Sequence, residues 1–347
     1  MLDVAKLEVV SAAQLDSARA GDRDAFSALA EPYRPELRVH CYRMLGSLQD
    51  AEDLVQETLL RAWRRLDTYQ GRAPFRAWLY KIATNACLDA LDRRSRRSLP
   101  PARQPAADPN QAPAPPISEP IWLEPFPDEW LGGLLPGLEA RYDTRESITL
   151  AFLAALQALP PRQRAVLILR DVLGWRASEA ASILDLTVSA VNSALHRARA
   201  TLARHYHGRS LEAMPSRPPD EATRVLLERY VRAWETADID GLIALLTEDV
   251  TFPMPPSPAW YQGRVAVRAF ISTAILDGDA RGRWRLLPLH ANASPAFAWY
   301  RRDDTRRDYA PFAIQVLALD GGLIADVTTF AMPSLFAYFE VPVELSV

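Results

Sequence analysis

Eleven prolines fall between Leu99 and Pro136 (Pro100, Pro101, Pro105, Pro109, Pro113, Pro115, Pro116, Pro120, Pro125, Pro127 and Pro136), out of 28 in a chain of 347 residues. Each removes a backbone donor and clashes with a preceding helical turn, so no helix runs through this stretch. A chain this long exceeds what one core usually holds, and two or three modules are expected on either side of the break. The stretch reads as a linker over 99–138, with one departure. Ile121-Trp122-Leu123-Glu124-Pro125-Phe126-Pro127 is too apolar for a spacer, and suits either docking onto a folded domain or local collapse. A shorter hinge over 208–220 carries Pro215, Pro218 and Pro219.

Between 12 and 98, apolar residues recur at helical spacing, as at Leu54, Val55, Leu59, Ala62 and Trp63, without hairpin signals. The spacing predicts a small helical bundle broken at Gly46-Ser47 and between Tyr69 and Pro74. Over 139–207 the pattern is helical again, with Pro160-Pro161 opening one helix and Gly174 closing it. Beyond 221, amphipathic helices over 222–236 and 239–246 precede β-branched and aromatic runs at 250–252, 296–300, 312–319 and 323–330. Asp320-Gly321-Gly322 between the last two is a hairpin turn. The expected fold class is therefore multidomain, with two all-α helical modules followed by an α+β module built on a bent antiparallel sheet.

The net charge of −3 would argue against nucleic acid if it were spread evenly. Arginines instead crowd the segment from Arg72 to Arg97 and recur at Arg162, Arg164, Arg170, Arg176, Arg197, Arg199 and Arg204. No apolar run approaches the roughly 20 residues that span a bilayer, and no signal-peptide pattern opens the chain, so a cytoplasmic protein without membrane contact is expected. Cys41 and Cys87 lack C-x-x-C or Cys/His ligand spacing. Two buried thiols, with no metal and no cofactor, are the expectation.

Two stretches carry chemistry. From Asp50, Glu52, Asp53 and Glu57 the chain passes through Tyr69, Phe75, Trp78 and Tyr80 to Arg93-Arg94-Ser95-Arg96-Arg97. That order supplies an acidic face for a partner, flat side chains for unstacked bases and cations for phosphate. Solvated helix charge is the plainer alternative for the acidic part. Further on, a helix ending at Leu184, the turn Asp185-Leu186-Thr187 and a helix beginning near Val188 have helix-turn-helix spacing. Ala180, Ala181, Leu184, Leu186, Val191 and Leu195 suit the seam between these helices. Ser189, Asn192, Ser193, His196 and Arg197 project from the other side, as contacts in a major groove require. An ordinary solvated hairpin is the plainer alternative.

These motifs resemble the bacterial sigma factors of the extracytoplasmic-function group. Asp50-Ala51-Glu52-Asp53-Leu54-Val55-Gln56-Glu57-Thr58, Ala62-Trp63, the run from Phe75 to Asn85 and Leu88-Asp89 match that group's second region. Leu159-Pro160-Pro161-Arg162-Gln163-Arg164-Ala165-Val166, the helix-turn-helix and Leu195-His196-Arg197-Ala198-Arg199 match its fourth. The C-terminal part, with Tyr230, Trp234, Asp238, Phe252, Met254, Trp260-Tyr261-Gln262-Gly263-Arg264 and Phe270, resembles the SnoaL-like cone fold, which hosts isomerases, hydrolases and noncatalytic ligand-binding modules.

The resemblance implies a second region over 12–98, a linker over 99–138, a fourth region over 139–207, a hinge over 208–220 and a SnoaL-like regulatory domain over 221–347. Core RNA polymerase is the implied partner, through the clamp helices of its largest subunit and its flap, with Asp50, Asp53, Leu54, Gln56 and Glu57 at the interface. Promoter DNA is the other. Tyr69, Arg72, Phe75, Trp78, Lys81, Asn85, Arg93, Arg94 and Arg97 fall where the group captures and tracks the −10 strand. Arg170, Ser189, Asn192, Ser193, His196, Arg197 and Arg199 fall where it contacts the −35 duplex. Many relatives carry arginine where Asn192 and Ala194 stand; their replacement removes two cations from the reading surface and leaves the −35 preference open, and Asn192 would favour an adenine edge if it reaches a base.

In the C-terminal module, Trp234, Met254, Trp260, Tyr261 and His290 outline a candidate pocket for a small-molecule ligand. His290 and Asp326 are the one candidate acid/base pair, and no catalytic residue is assigned. The implied function is an alternative sigma factor that initiates transcription and is regulated by intramolecular contact between its SnoaL-like domain and the sigma regions. Two alternatives are a SnoaL-like enzyme fused to a DNA-binding front end and a conventional helix-turn-helix regulator. The latter leaves the segment from Asp50 to Arg97 unexplained.

Overall fold

The computed structural model describes residues 12–93, 97–117, 119, 121–132, 147–205, 221–303 and 308–346. These residues fall into two compact units that alternate along the chain. One holds the residues up to Arg97 and from Trp130 to 205, the other those from Ser98 to Glu129 and from 221 on. The hinge over 208–220 and the stretch 133–146 lie outside the described residues.

The first unit contains α1 (Ala12–Arg19), α2 (Arg23–Ala30), α3 (Arg34–Leu45), α4 (Leu48–Arg64), α5 (Phe75–Leu91), α6 (Leu150–Gln157), α7 (Pro161–Leu167), α8 (Ala177–Leu184) and α9 (Val188–His205). Gly46 ends α3 in the left-handed region at φ 72°, where a Cβ would be strained. Ser47 then caps α4, its Oγ accepting from the Asp50 amide at 3.2 Å, while Arg61 and Arg64 complement the dipole at the other end. Leu48, Ala51, Val55, Thr58, Leu59 and Ala62, three and four residues apart, form the buried face of α4. Pro161 starts α7, which passes through a π turn over Ile168–Val172 and stops before Gly174 at φ 68°.

Three buried polar side chains, Arg164, Gln157 and His40, tie these helices together. Arg164 of α7, wholly inaccessible, donates to the carbonyl of Met44 in the last turn of α3, to the Gln157 side chain (2.6 Å) and to the Gln157 carbonyl (3.0 Å). Gln157 in turn donates to the Arg43 carbonyl (3.3 Å), so carbonyls left unpaired at the end of α3 are satisfied by α6 and α7. His40 of α3 meets the Thr84 hydroxyl of α5 at 2.9 Å and packs against Tyr80. Burial, reinforced by Arg43 and Arg76, holds its pKa down at about 3.

The second unit contains α10 (Glu221–Thr236), α11 (Ile239–Ala244), α12 (Arg264–Phe270) and seven strands: β1 (Leu246–Pro253), β2 (Trp260–Gln262), β3 (Trp284–Ala291), β4 (Ser294–Asp303), β5 (Asp308–Asp320), β6 (Leu323–Phe330) and β7 (Leu345–Ser346). They form one sheet in the order β2-β1-β6-β5-β4-β3, with β7 on β5. β1 and β6 run parallel and the other pairs antiparallel, so the sheet is mixed where the sequence suggested a purely antiparallel one. Gly321 and Gly322 turn β5 into β6 with φ of 57° and 78°, the positive pair that a two-residue hairpin needs. Trp234 of α10 meets Trp299 of β4 edge to face at 4.4 Å, and Tyr261 stacks on Phe270 at 4.2 Å, filling the space between helices and sheet.

The Pro-rich stretch packs as a strap on this second unit. The Trp260 indole donates to the Gln104 carbonyl (2.8 Å), the Ala107 amide to the Trp260 carbonyl (2.8 Å) and the Ile117 amide to the Pro256 carbonyl (2.9 Å). At the apolar run, Phe126 and Asn292 exchange two bonds. The Phe126 amide donates to Asn292 Oδ1 (2.8 Å) and the Asn292 amide to the Phe126 carbonyl (2.9 Å). Asp128 then accepts from the Ala293 amide at 2.9 Å. Asn292 sits at φ 55° between β3 and β4, a conformation asparagine tolerates better than most residues. Trp122, Leu123 and Phe126 are buried.

Asn292→Ala removes the acceptor of the buried Phe126 amide's 2.8 Å bond and places alanine in a left-handed turn, so the second unit should lose about 2 kcal/mol in urea unfolding. Proteolytic nicking within 98–129 should accelerate in parallel. The depressed His40 pKa has a defined sign: the unfolded chain binds the proton near pH 6.5 while the folded one refuses it. Stability of the first unit should be full above pH 6.5 and fall by about 1.4 kcal/mol per pH unit below it, toward pH 3. Urea titrations from pH 7 to 4.5 should show that slope flattened in His40→Gln.

Candidate nucleic-acid interface

Helix α5 presents Trp78, Lys81 and Asn85, each half-buried, at spacings of three and four that set them on one face. The turn before it is walled from within. Tyr69 and Phe75 are buried and pack against each other (5.4 Å between ring centroids), with Trp78 closing the trio at 5.2 and 5.5 Å. The Tyr69 hydroxyl donates to the Ala73 carbonyl at 2.9 Å, and Arg19 donates to the Tyr69 carbonyl. Arg72 stands exposed at this turn and Arg93 beyond the end of α5. Arg94 lies outside the described residues.

Arg97 is buried. It forms an ion pair with Asp50 at 2.7 Å in which both side chains are almost wholly covered, so neither is presented to a partner. Of the other residues assigned to the polymerase face, Asp53 and Gln56 are exposed, while Leu54 and Glu57 are half-buried, with Glu57 bonded to Arg61 (2.7 Å). Leu60, exposed one turn further along the same face, was not singled out from sequence. A lone apolar residue in an amphipathic pattern gives no signal of its own.

Helices α8 and α9 form the helix-turn-helix. Glu179 accepts from the Arg176 amide (2.6 Å) to start α8, and Thr187 accepts from the Ala190 amide (3.2 Å) to start α9. Asp185 makes the turn at φ 53°. Ala180, Ala181, Ile183, Val191, Ala194, Leu195 and Ala198 are buried; Ile183, rather than Leu184, is the large residue of α8 in the seam. Ser189, Asn192, Ser193, His196 and Arg197 are all exposed in one stripe along α9. The other two arginines of the set are engaged internally. Arg199 is bidentate to Asp171 (2.7 and 2.8 Å), and Arg170 donates to the Trp175 carbonyl.

The five residues outlined as a ligand pocket do not surround one cavity. Trp234 and Tyr261 belong to the core, Met254 packs against it, and Trp260 is held by the strap. His290 alone lines a cleft of about 620 Å³ between α10 and the β3–β4 hairpin, floored by Leu227, Val231, Leu286 and Phe297. Its sequence partner Asp326 lies on β6, with β5 and β4 intervening. Three interstrand spacings put the two strands roughly 14 Å apart, too far to share a proton. Asp326 accepts instead from Thr251 and Thr328. Among the described residues no cluster of His, Cys, Asp or Glu is arranged to hold a metal, and no helix is long and apolar enough to cross a membrane.

Three family models match this chain: Sigma-70 region 2 over residues 29–97, Sigma-70 region 4 over 149–202 and a SnoaL-like domain over 227–327. The ECF RNA polymerase sigma factor SigG of Mycobacterium tuberculosis is 43% identical over 343 residues, covering 99% of this chain and 90% of SigG. SigE of Mycolicibacterium smegmatis, likewise an ECF RNA polymerase sigma factor, is 33% identical over 204 residues, covering 56% of this chain and 68% of SigE. The crystal structure of the extracytoplasmic function sigma factor SigJ of Mycobacterium tuberculosis superposes with a TM-score of 0.58 at 23% identity, over 91% of this chain and 99% of SigJ, a likeness of fold.

The burial of Arg97 makes a separable expectation. Arg97→Ala removes the cation paired with the buried Asp50 carboxylate and should cost the first unit about 3 kcal/mol in urea unfolding. The salt dependence of DNA binding by the folded protein should stay unchanged, whereas Arg197→Ala should lower the slope of log K against log salt by about one.

Proposed function

Because the chain belongs to the extracytoplasmic-function family of RNA polymerase sigma factors, we propose that its first unit joins core polymerase and carries both promoter readers, under control of the second. Docking is assigned to the α4 stripe of Asp53, Gln56 and Glu57 around Leu54 and Leu60. An acid-and-amide face with apolar residues between suits the basic coiled coil of the largest-subunit clamp and steers the encounter. The flap is the partner assigned to the fourth region.

The −10 strand is assigned to Trp78, Lys81 and Asn85, with Arg72 at the turn where a flipped base would sit and Arg93 beyond. Tyr69 and Phe75 stiffen that turn from below. The −35 duplex is assigned to Ser189, Asn192, Ser193, His196 and Arg197, and this stripe is the observation that carries the reading. Five polar side chains at i, i+3, i+4, i+7 and i+8 face outward from the second helix of a helix-turn-helix whose opposite side is buried. Arg170 and Arg199 act by positioning that helix.

The chain performs no covalent step in this reading, and the separation of His290 from Asp326 supports that assignment over an enzymatic one. Regulation is assigned to the second unit through contact with the sigma regions. An apolar ligand in the cleft beside His290 would bias that control by its differential affinity for two arrangements. A cytoplasmic location follows from the reading.

Run-off transcription from a pool of genomic fragments, with purified core polymerase and the full chain, should yield a defined promoter set. Asn192→Ala should weaken promoter binding by about 2 kcal/mol, roughly thirtyfold, and relax the preference for one base of the −35 element. Absence of both copurification with core polymerase and run-off product would overturn the reading.

A further inference from the structure

The two promoter readers of the first unit are bound to each other. Lys81 on the strand-tracking face of α5 donates to Asp185 Oδ1 (2.6 Å) and to the Ser182 carbonyl (3.2 Å), both at the end of α8. Alongside, Arg76 is held bidentate by Glu36 (2.8 to 3.0 Å) and lies 5.2 Å above both the Tyr80 and Trp175 rings. Those rings are themselves 5.3 Å apart, so the residue that leads into α8 is seated on α5.

This contact is incompatible with reading a promoter. Elements at −10 and −35 are separated by about 25 base pairs, or roughly 85 Å of duplex at about 3.4 Å per pair. Readers joined by a 2.6 Å bond cannot occupy both. The turn itself does not explain the aspartate. Position 185 needs a residue that tolerates φ 53°, which asparagine or glycine does as well. What the carboxylate adds is an anion on Lys81.

We propose that Asp185 is an internal stand-in for a DNA phosphate, latching onto the Lys81 ammonium group and so screening the −10 strand path of α5 while the two readers are joined. The latch rests on the assignment of α5 as the strand reader. Single-stranded DNA and Asp185 compete for the same ammonium group, and the Trp175 seat on Tyr80 and Arg76 aligns the competitor.

Two measurements on the full chain test this. The first is affinity for a fluorescein-labelled single-stranded oligodeoxythymidylate of about 12 nucleotides, within the usual site sizes for strand binders. Asp185→Asn, which keeps the turn and removes the charge, should bind it about three- to tenfold tighter than wild type; equal affinity would overturn the proposal. The second is the distance between spin labels at Asp92→Cys and Ala200→Cys, both exposed, while the native Cys41 and Cys87 are buried. It should be short and single in the free chain, and lengthen when holoenzyme forms. A distance unchanged in a holoenzyme that does assemble would refute the latch. Failure to assemble with core polymerase would instead count against the sigma reading, and the oligonucleotide comparison still decides the latch.

Discussion

The reciprocal hydrogen bonds between Phe126 and Asn292 determine how the whole chain is partitioned. A segment with so many prolines pairs its own backbone only in part, as where Ser98 bridges Ile121 and Leu123, and burying Phe126 requires its amide and carbonyl to find partners elsewhere. The β3–β4 turn provides them. As a result the stretch between the two helical regions is part of the second unit, and the chain passes from first to second unit, back to the first and again to the second. A truncation after the fourth region would remove the surface that covers the strap. It would leave an apolar run exposed between the two promoter readers, and a change in transcription could not then be attributed to loss of the C-terminal module alone.

Charge in the first unit is divided between holding and presenting. Arg97, Arg164, Arg170, Arg76 and Arg199 hold elements together through carboxylates or carbonyls. Arg72, Arg93 and Arg197 are presented, with no internal partner among the described residues. Each neutralised phosphate adds to the salt slope, so a count of arginines in the sequence overstates the electrostatic part of DNA affinity. On the proposed assignment, the α9 stripe carries one arginine, Arg197, beside His196 and the uncharged Ser189, Asn192 and Ser193.

The elements legible in the sequence were those fixed by local rules. Both helices of the helix-turn-helix and the turn at Asp185, the break at Gly46-Ser47 and the Gly321-Gly322 hairpin follow from short-range backbone preferences and periodicity. The parallel β1–β6 pair was not legible, because strands about 70 residues apart show no orientation in their own composition. Nor were the commitments of single side chains. Asp50 and Arg97 each match a functional pattern, yet the fold brings them together, and a pattern of residue types cannot distinguish a cation facing solvent from one facing a carboxylate. The aromatic residues of the second unit pose the same problem. Trp234 and Tyr261 fit a pocket by composition and the core by packing, and only Trp299 and Phe270 opposite them decide it.

The contacts between the two promoter readers fall into a buried and an exposed set, and the two differ in what they can control. Arg164 and Gln157 satisfy the end of α3 from α6 and α7 with no access to water, so separating them leaves carbonyls unpaired until solvent enters. Lys81 and Asp185 are solvent-accessible, and an exposed pair contributes about 0–1 kcal/mol and less as salt rises. Shifting an equilibrium from 1:99 to 99:1 takes about 5.5 kcal/mol, well beyond that pair. The buried set therefore holds the joined arrangement, and an agent with the binding energy of a polymerase is needed to undo it. The exposed pair instead sets how readily a strand reaches α5, an effect of a few fold, suited to tuning by a single carboxylate.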